Sequence, residues 1–239
     1  MILKQQLKAI FLGLLFFSQS PFASEAQKAF ETHDFQKALT LWVDQIKIHP
    51  HNPNLFYNVA KSYEKQQKLG FARAYYLKAL ALDPADIQSK YNLQNIEKKL
   101  IDQELINQDF IESLLTLLTF NRTHSEIAWF FLIFFSLFSM SLWLPSSLAK
   151  KSRWTLCILS LISASIFYCA YFQSFIAKKS IVITPKTAVH SGPSESLPTL
   201  FFIHEGSRVY PLKKKNNWQK ITLKNGLEGW IKNNDIFTL

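Results

Sequence analysis

The sequence predicts a multidomain membrane protein: an all-α repeat region, a two-helix transmembrane hairpin and a small all-β barrel, in that order. Three observations lead there. Apolar residues make up 48% of the 239-residue chain and concentrate in three blocks, Ile10–Phe17, Ile127–Leu144 and Trp154–Ile176. Residues 26–52 and 60–86 align with one another without a gap. From Ser180 onward, short alternating runs are separated by Gly, Pro and Asn turns. Such a partition favours two modest domains over one large core.

The first block belongs to MILKQQLKAIFLGLLFFSQSPFAS. Lys4 and Lys8 form a positive n-region, Ala9–Phe17 an apolar h-region and Ser18–Ser24 a polar tail. The apolar run is shorter than the ~20 residues that span a bilayer, so residues 1–23 read as a secretory signal peptide cut after Ala23. Pro21 suits the position three before the cut poorly, and an uncleaved anchor is the alternative. Either outcome sends the following chain out of the cytoplasm.

Residues 24–107 carry the repeat. Ala26 falls on Ala60, Phe35 on Leu69, Ala38 on Ala72, Trp42 on Tyr76, Ile46 on Leu80 and Pro50 on Pro84. Two antiparallel helices per unit explain the pattern. Small Ala38 and Ala72 let helices approach closely, the aromatic one turn later fills the gap, and the proline ends the second helix. The second unit supplies Phe56, Val59, Ala60, Tyr63, Ala72, Tyr76, Ala79 and Pro84, and with these it resembles the tetratricopeptide repeat. A third unit starts with Tyr91, Asn92 and Leu93 but has no second helix, so Ile87–Ile106 is expected to be a solvating cap. Residues 108–126 read as a linker or an interfacial helix.

The resemblance implies a concave face lined by the first helix of each unit. Its candidate protein-binding residues are Asn54, Tyr57, Asn58, Lys61 and Glu64, then Gln88, Tyr91, Asn92, Asn95 and Lys98. Tyrosines with amides and lysines suit an extended peptide or a terminal carboxylate. An ordinary solvated helix face is the alternative.

Residues 127–144 and 154–176 carry no charge and have Trp129, Trp143 and Trp154 near their ends, the pattern of spanning helices with aromatic belts. A buried helix pair is the alternative, although such helices rarely stay charge-free over this length. Residues 145–153, with Lys150, Lys151 and Arg153, then form a cytoplasmic loop obeying the positive-inside bias. The expected localisation is a bacterial inner membrane, multi-pass, with both soluble domains periplasmic.

Residues 180–239 carry the motifs Ser191-Gly192-Pro193-Ser194, Glu205-Gly206 before Val209, Trp218 before Ile221, and Asn225-Gly226 ahead of Gly229-Trp230-Ile231. Their order resembles a bacterial SH3-like domain, with Asn225-Gly226 supplying the positive φ angles of a hairpin and Gly229 admitting close backbone approach. Tyr210, Trp218 and Trp230 are its candidate surface aromatics, with a core role expected for at least one tryptophan.

Several chemistries are excluded. No P-loop, dinucleotide, zincin or paired-cysteine pattern occurs. Cys157 and Cys169 would lie ~18 Å apart along one helix, beyond disulfide reach. His49 and His51 flank Pro50 in a loop and read as solvated. The formal net charge of +10 is spread through the chain, with small clusters at Lys150/Lys151, Lys178/Lys179 and Lys213–Lys215. That spread points to a lipid bilayer and to topology rather than to nucleic acid. No catalytic, cofactor-binding or metal residue is expected, so the chain reads as a non-enzyme.

The order of parts resembles BatE-type proteins of the bacterial aerotolerance operon. That resemblance implies an adaptor in the bacterial envelope working beside von Willebrand factor A-domain Bat proteins and a MoxR-type ATPase, in aerotolerance or stress tolerance. The alternative is a peptidoglycan-binding envelope protein with the repeats as a spacer.

Overall fold

The computed structural model describes residues 21–102, 124–141, 154–168 and 179–239. It opens with α1 (Pro21–Glu31), α2 (Phe35–Ile48), α3 (Pro53–Lys65), α4 (Leu69–Leu82) and α5 (Ile87–Glu97). The turns inside the two pairs are equivalent. His33 and Gln67 both take left-handed φ angles, of 66° and 58°. Asp34 N–H then donates to the Ala29 carbonyl, and Lys68 N–H to that of Tyr63. These are helix-ending bonds of the Schellman kind.

Packing follows the alanine–aromatic pattern. Ala38 and Ala72 are fully buried, and Trp42 and Tyr76 fill the space one turn on. Ala26, Ala29, Leu39, Leu55 and Val59 complete the first core cluster. Ala60, Ile96 and Leu100 complete the second.

The strands are β1 (Ser180–Val182), β2 (Lys186–His190), β3 (Thr199–His204), β4 (Arg208–Lys215), β5 (Trp218–Thr222), β6 (Glu228–Lys232) and β7 (Ile236–Thr238). They form one seven-stranded sheet in the order β3-β2-β6-β5-β4-β1-β7, antiparallel throughout. Period-two alternation turns Val182, Val189, Ile203, Val209, Ile221 and Ile231 into a common core. In the β5–β6 hairpin only Gly226 takes a positive φ, 83°. Asn225 instead accepts the Leu227 N–H with its side chain. Gly229 lies against Val189 and the His190 carbonyl, leaving no room for a Cβ.

The sheet packs directly on the helices. Gly70 sits against β1, where a Cβ would come within 2.5 Å of the Val182 carbonyl oxygen. Its N–H donates to Glu205 Oε2 at 2.8 Å. Arg73, only 3% exposed, donates to the Gly206 carbonyl and pairs with Glu97 at 2.9 Å. The Phe237 ring meets Phe71 and Tyr75, with Lys78 Nζ 4.5 Å from its centroid. Leu100 packs on Gly206. Asp102 accepts from the His204 N–H at 2.7 Å and the Ser207 hydroxyl at 2.8 Å.

Only residues 87–102 of the expected cap Ile87–Ile106 are described, and they are not solvated throughout. The helix stops at Glu97, and Leu100 and Asp102 then contact the sheet at Gly206 and His204.

The expected membrane architecture is corrected. Among the described residues no helix is long and apolar enough to cross a membrane. Helix α6 (His124–Ser141) has 18 residues, about 27 Å at 1.5 Å per residue. Its first turn is His124, Ser125 and Glu126, so its apolar part falls short of a ~30 Å hydrocarbon core. Of the second expected span only residues 154–168 are described, all of them helical. The described chain is a mixed α and β fold rather than a multidomain membrane protein with a transmembrane hairpin, and the multi-pass inner-membrane localisation loses its basis with that hairpin. The signal-peptide region 1–20, the linker at 103–123, the loop at 145–153 and the ends of both expected spans lie outside the described residues. Pro21–Ala23, expected within the signal peptide, begin α1.

Candidate protein-binding groove

The first helices of the units, α1, α3 and α5, supply the polar and aromatic residues of the candidate groove. Asn52 starts α3 by accepting the Asn54 N–H at 3.1 Å, with Pro53 in the first turn. Asp86 starts α5, accepting from Gln88 and Ser89 N–H. Each cap satisfies orphan donors and sets the helix register, which in turn decides which side chains share a face.

Tyr57 and Asn92 meet across α3 and α5, Asn92 Nδ2 donating to the Tyr57 hydroxyl at 3.2 Å. Lys61 Nζ stands 5.7 Å from the Tyr57 ring centroid and 5.8 Å from that of Phe30 on α1. Both distances are within cation–π range. Tyr76 meets Tyr57 edge to face at 5.7 Å and donates its hydroxyl to Glu64 Oε2 at 2.9 Å. Burial pushes the Tyr76 phenol far above its ordinary value, and the Glu64 carboxylate adds to this. Tyr76 therefore stays a neutral donor.

The structure thus brings Tyr57, Lys61, Glu64 and Asn92 into one network. Asn58 and Asn95 are half-buried beside it, while Asn54, Gln88 and Lys98 are exposed. Tyr91 is 63% exposed and offers a free ring. Tyr57 is divided in role, since its ring also packs against the second core cluster. Phe30 and Tyr76 escaped sequence reasoning as groove residues because both match core positions. The Tyr76 hydroxyl, where the first unit has Trp42, was the available signal.

In the barrel, strand register places Tyr210, Trp218 and Trp230 together. Residues directly opposed across a sheet point to the same side. Opposed neighbours run His190, Trp230, Lys220, Lys213 in one row. The next row is Lys232, Trp218, Lys215, and Glu228, Thr222, Tyr210 make the third. This is the outer face, opposite Ile221 and Ile231. Neither Trp218 nor Trp230 enters the core; both are half-buried, and Trp218 meets the His190 ring edge-on at 5.4 Å.

Among the described residues, no group of His, Cys, Asp and Glu side chains could hold a metal ion. Asp102, His204 and Ser207 adjoin one another, but the Ser207 hydroxyl donates to the carboxylate rather than to the imidazole. That arrangement locks a turn and does not activate a nucleophile. No known family model matches the sequence, and no curated protein is detectably similar to it.

Proposed function

We propose that this chain is a non-enzymatic adaptor that holds an extended segment of a partner protein in the groove of α1, α3 and α5. The observation that carries the reading is the pre-ordered network of Tyr57, Asn92, Lys61 and Glu64 beside the exposed ring of Tyr91. A bound segment would meet donors, acceptors and aromatic surface already fixed by the helices, so little ordering cost opposes binding. The resemblance to BatE-type proteins makes von Willebrand factor A-domain proteins and a MoxR-type ATPase the first partners to try.

The test is co-purification of those proteins with the full chain and with Tyr91→Ala/Asn92→Ala/Asn95→Ala. These side chains are exposed or half-buried, so the fold should be retained. Loss of an interface aromatic costs ~2 kcal/mol or more at a hot spot, and the triple variant should weaken capture about thirtyfold or more. Undiminished capture would remove the groove reading. If the chain then sediments with peptidoglycan through Tyr210, Trp218 and Trp230, wall binding replaces it.

A further inference from the structure

Asn225-Gly226 is the one Asn-Gly pair in the chain, and it lies in the turn of the β5–β6 hairpin. Residues 224–228 are all exposed. A Cβ added at Gly226 would meet no atom within 4 Å, so the turn can open without displacing a packed group. Three bonds shape it. Leu223 N–H donates to the Leu227 carbonyl at 2.8 Å, and Gly226 N–H to the Leu223 carbonyl at 3.0 Å. Leu227 N–H donates to Asn225 Oδ1 at 3.1 Å. This last bond folds the Asn225 carboxamide back over the Gly226 peptide. It also sets a backbone donor on the oxygen that gains negative charge when Cγ is attacked, as an oxyanion-stabilising donor does.

We propose that Asn225 is a self-modification site, converted through a cyclic imide to aspartate and isoaspartate. Hydroxide takes the Gly226 N–H proton once the bond to Leu223 opens. The nitrogen then bonds to Asn225 Cγ, and the Cγ–Nδ2 bond breaks to release ammonia. Water opens the five-membered imide at either carbonyl. Cleavage at Cγ restores the ordinary main chain with aspartate. Cleavage at the main-chain carbonyl leaves isoaspartate, whose main chain runs through Cγ and is one methylene longer. Other described asparagines lack this combination. Asn54, Asn58, Asn92 and Asn95 lie in α3 and α5, where the following N–H is held in the helix ladder. Asn52 precedes Pro53, whose nitrogen carries no proton. Asn216, Asn217, Asn233 and Asn234 precede residues whose side chains crowd the attacking nitrogen, as glycine does not. The two products differ in their effect. Aspartate keeps an oxygen for the Leu227 N–H, whereas isoaspartate lengthens the segment between Leu223 and Leu227 and disturbs the bond that joins them. This site is independent of the groove on α3 and α5.

The experiment ages the full chain at physiological temperature, near neutral pH and one unit higher, beside the free peptide LKNGLEG. Digestion and mass spectrometry then locate every amide-to-acid conversion. Asn225 should convert at a rate within tenfold of the peptide's and at least tenfold above any other described asparagine. The rate should rise about tenfold over the pH unit, because the deprotonated nitrogen attacks. Isoaspartate, read by enzymatic methylation of its carboxylate, should be the larger product. Asn225→Gln should abolish the signal, since its larger ring closes far more slowly. Hydrogen exchange at Leu223 and Leu227 should quicken in the aged chain and stay unchanged in Asn225→Asp. Conversion more than tenfold slower than in the peptide would overturn the proposal. Equal conversion at asparagines outside this turn would also overturn it, since unfolding rather than the turn would then set the rate.

Discussion

The two helix pairs are built on one plan, yet it is the second that packs on the sheet through its own side chains, and the residues that differ explain why. Where α2 has Gln36, Lys37, Leu39, Leu41 and Asp44, α4 has Gly70, Phe71, Arg73, Tyr75 and Lys78. Leu39 closes the core of its own pair, whereas Arg73 reaches out of its pair to Gly206 and Glu97. Asp34 caps α2 with its own side chain, accepting the Lys37 N–H at 3.0 Å. The equivalent residue before α4 is Lys68, which makes no side-chain cap. Glu205 of the barrel accepts the Gly70 N–H in its place. The first pair is self-sufficient at this helix end, while the second has given that duty to another domain.

Exchanging the five residues tests this comparison most severely. Replacing Gly70, Phe71, Arg73, Tyr75 and Lys78 with their α2 counterparts should free the barrel. It breaks the part-buried Arg73–Glu97 pair and the bond from Arg73 to Gly206, and it removes the ring contacts of Phe71 and Tyr75 with Phe237. Thermal unfolding followed by far-UV circular dichroism should change from one transition to two. A single unshifted transition would mean that the interface contributes nothing.

A narrower break is Gly70→Val. The added Cβ meets the backbone of Val182, which cannot swing aside as a side chain would. Overpacking of this kind costs ~1–3 kcal/mol. Gln36→Val on α2 meets no barrel and should fall within ~0.5 kcal/mol, as surface substitutions do. Denaturant titration of both variants decides the matter.

The borrowed cap sharpens the comparison further. Glu205→Ala should cost ~1 kcal/mol, the usual value of a helix cap. Lys68→Asp, which restores the residue type of the first pair, should recover most of it. Failure of this rescue would show that Glu205 acts through something other than the α4 terminus.

The smallest effect concerns acid. Burial alone would raise the Asp102 carboxyl. The His204 N–H, the Ser207 hydroxyl and the His204 ring outweigh burial and hold it below the ordinary value of 3.8. A lowered folded value contributes stability that is full above pH ~4 and is lost as pH falls through that folded value. Asp102 is one-third exposed, so solvent screening keeps the gain modest. Asp102→Asn should lower the melting temperature near neutrality and bring it together with wild type in strong acid. A constant difference at every pH would remove the carboxylate from the interface.

Much of the local structure was legible beforehand. The alignment of residues 26–52 with 60–86 indicated the helix pairs, with Ala72 and Tyr76 at their contact. Alternation after Ser180 indicated strands, and Gly229 their close approach. Two readings went astray for physical reasons. The apolar blocks were counted by composition, but α6 spends its first turn on His124, Ser125 and Glu126 and reaches only 18 residues. Residues after Glu97 were read as solvated because no repeat partner followed, although Leu100 and Asp102 have partners in the sheet region. The candidate site was legible in part: Tyr57, Lys61, Glu64 and Asn92 were named and lie in one network of contacts, but Phe30 and Tyr76, which join it, were hidden among core residues.

By itself the sequence determined the helix pairs, their alanine–aromatic contacts and the inward alternation of the strands. Each of these is a periodic property of neighbouring residues, and burial of one face rewards the period wherever the chain lies. Tertiary structure alone decided that the sheet packs on α4, that Glu205 serves α4 across 135 residues, and that Tyr210, Trp218 and Trp230 share an outer face. Those contacts join side chains with no periodic relation. They exist because Gly70 and Gly206 are small enough for the helix and sheet surfaces to meet.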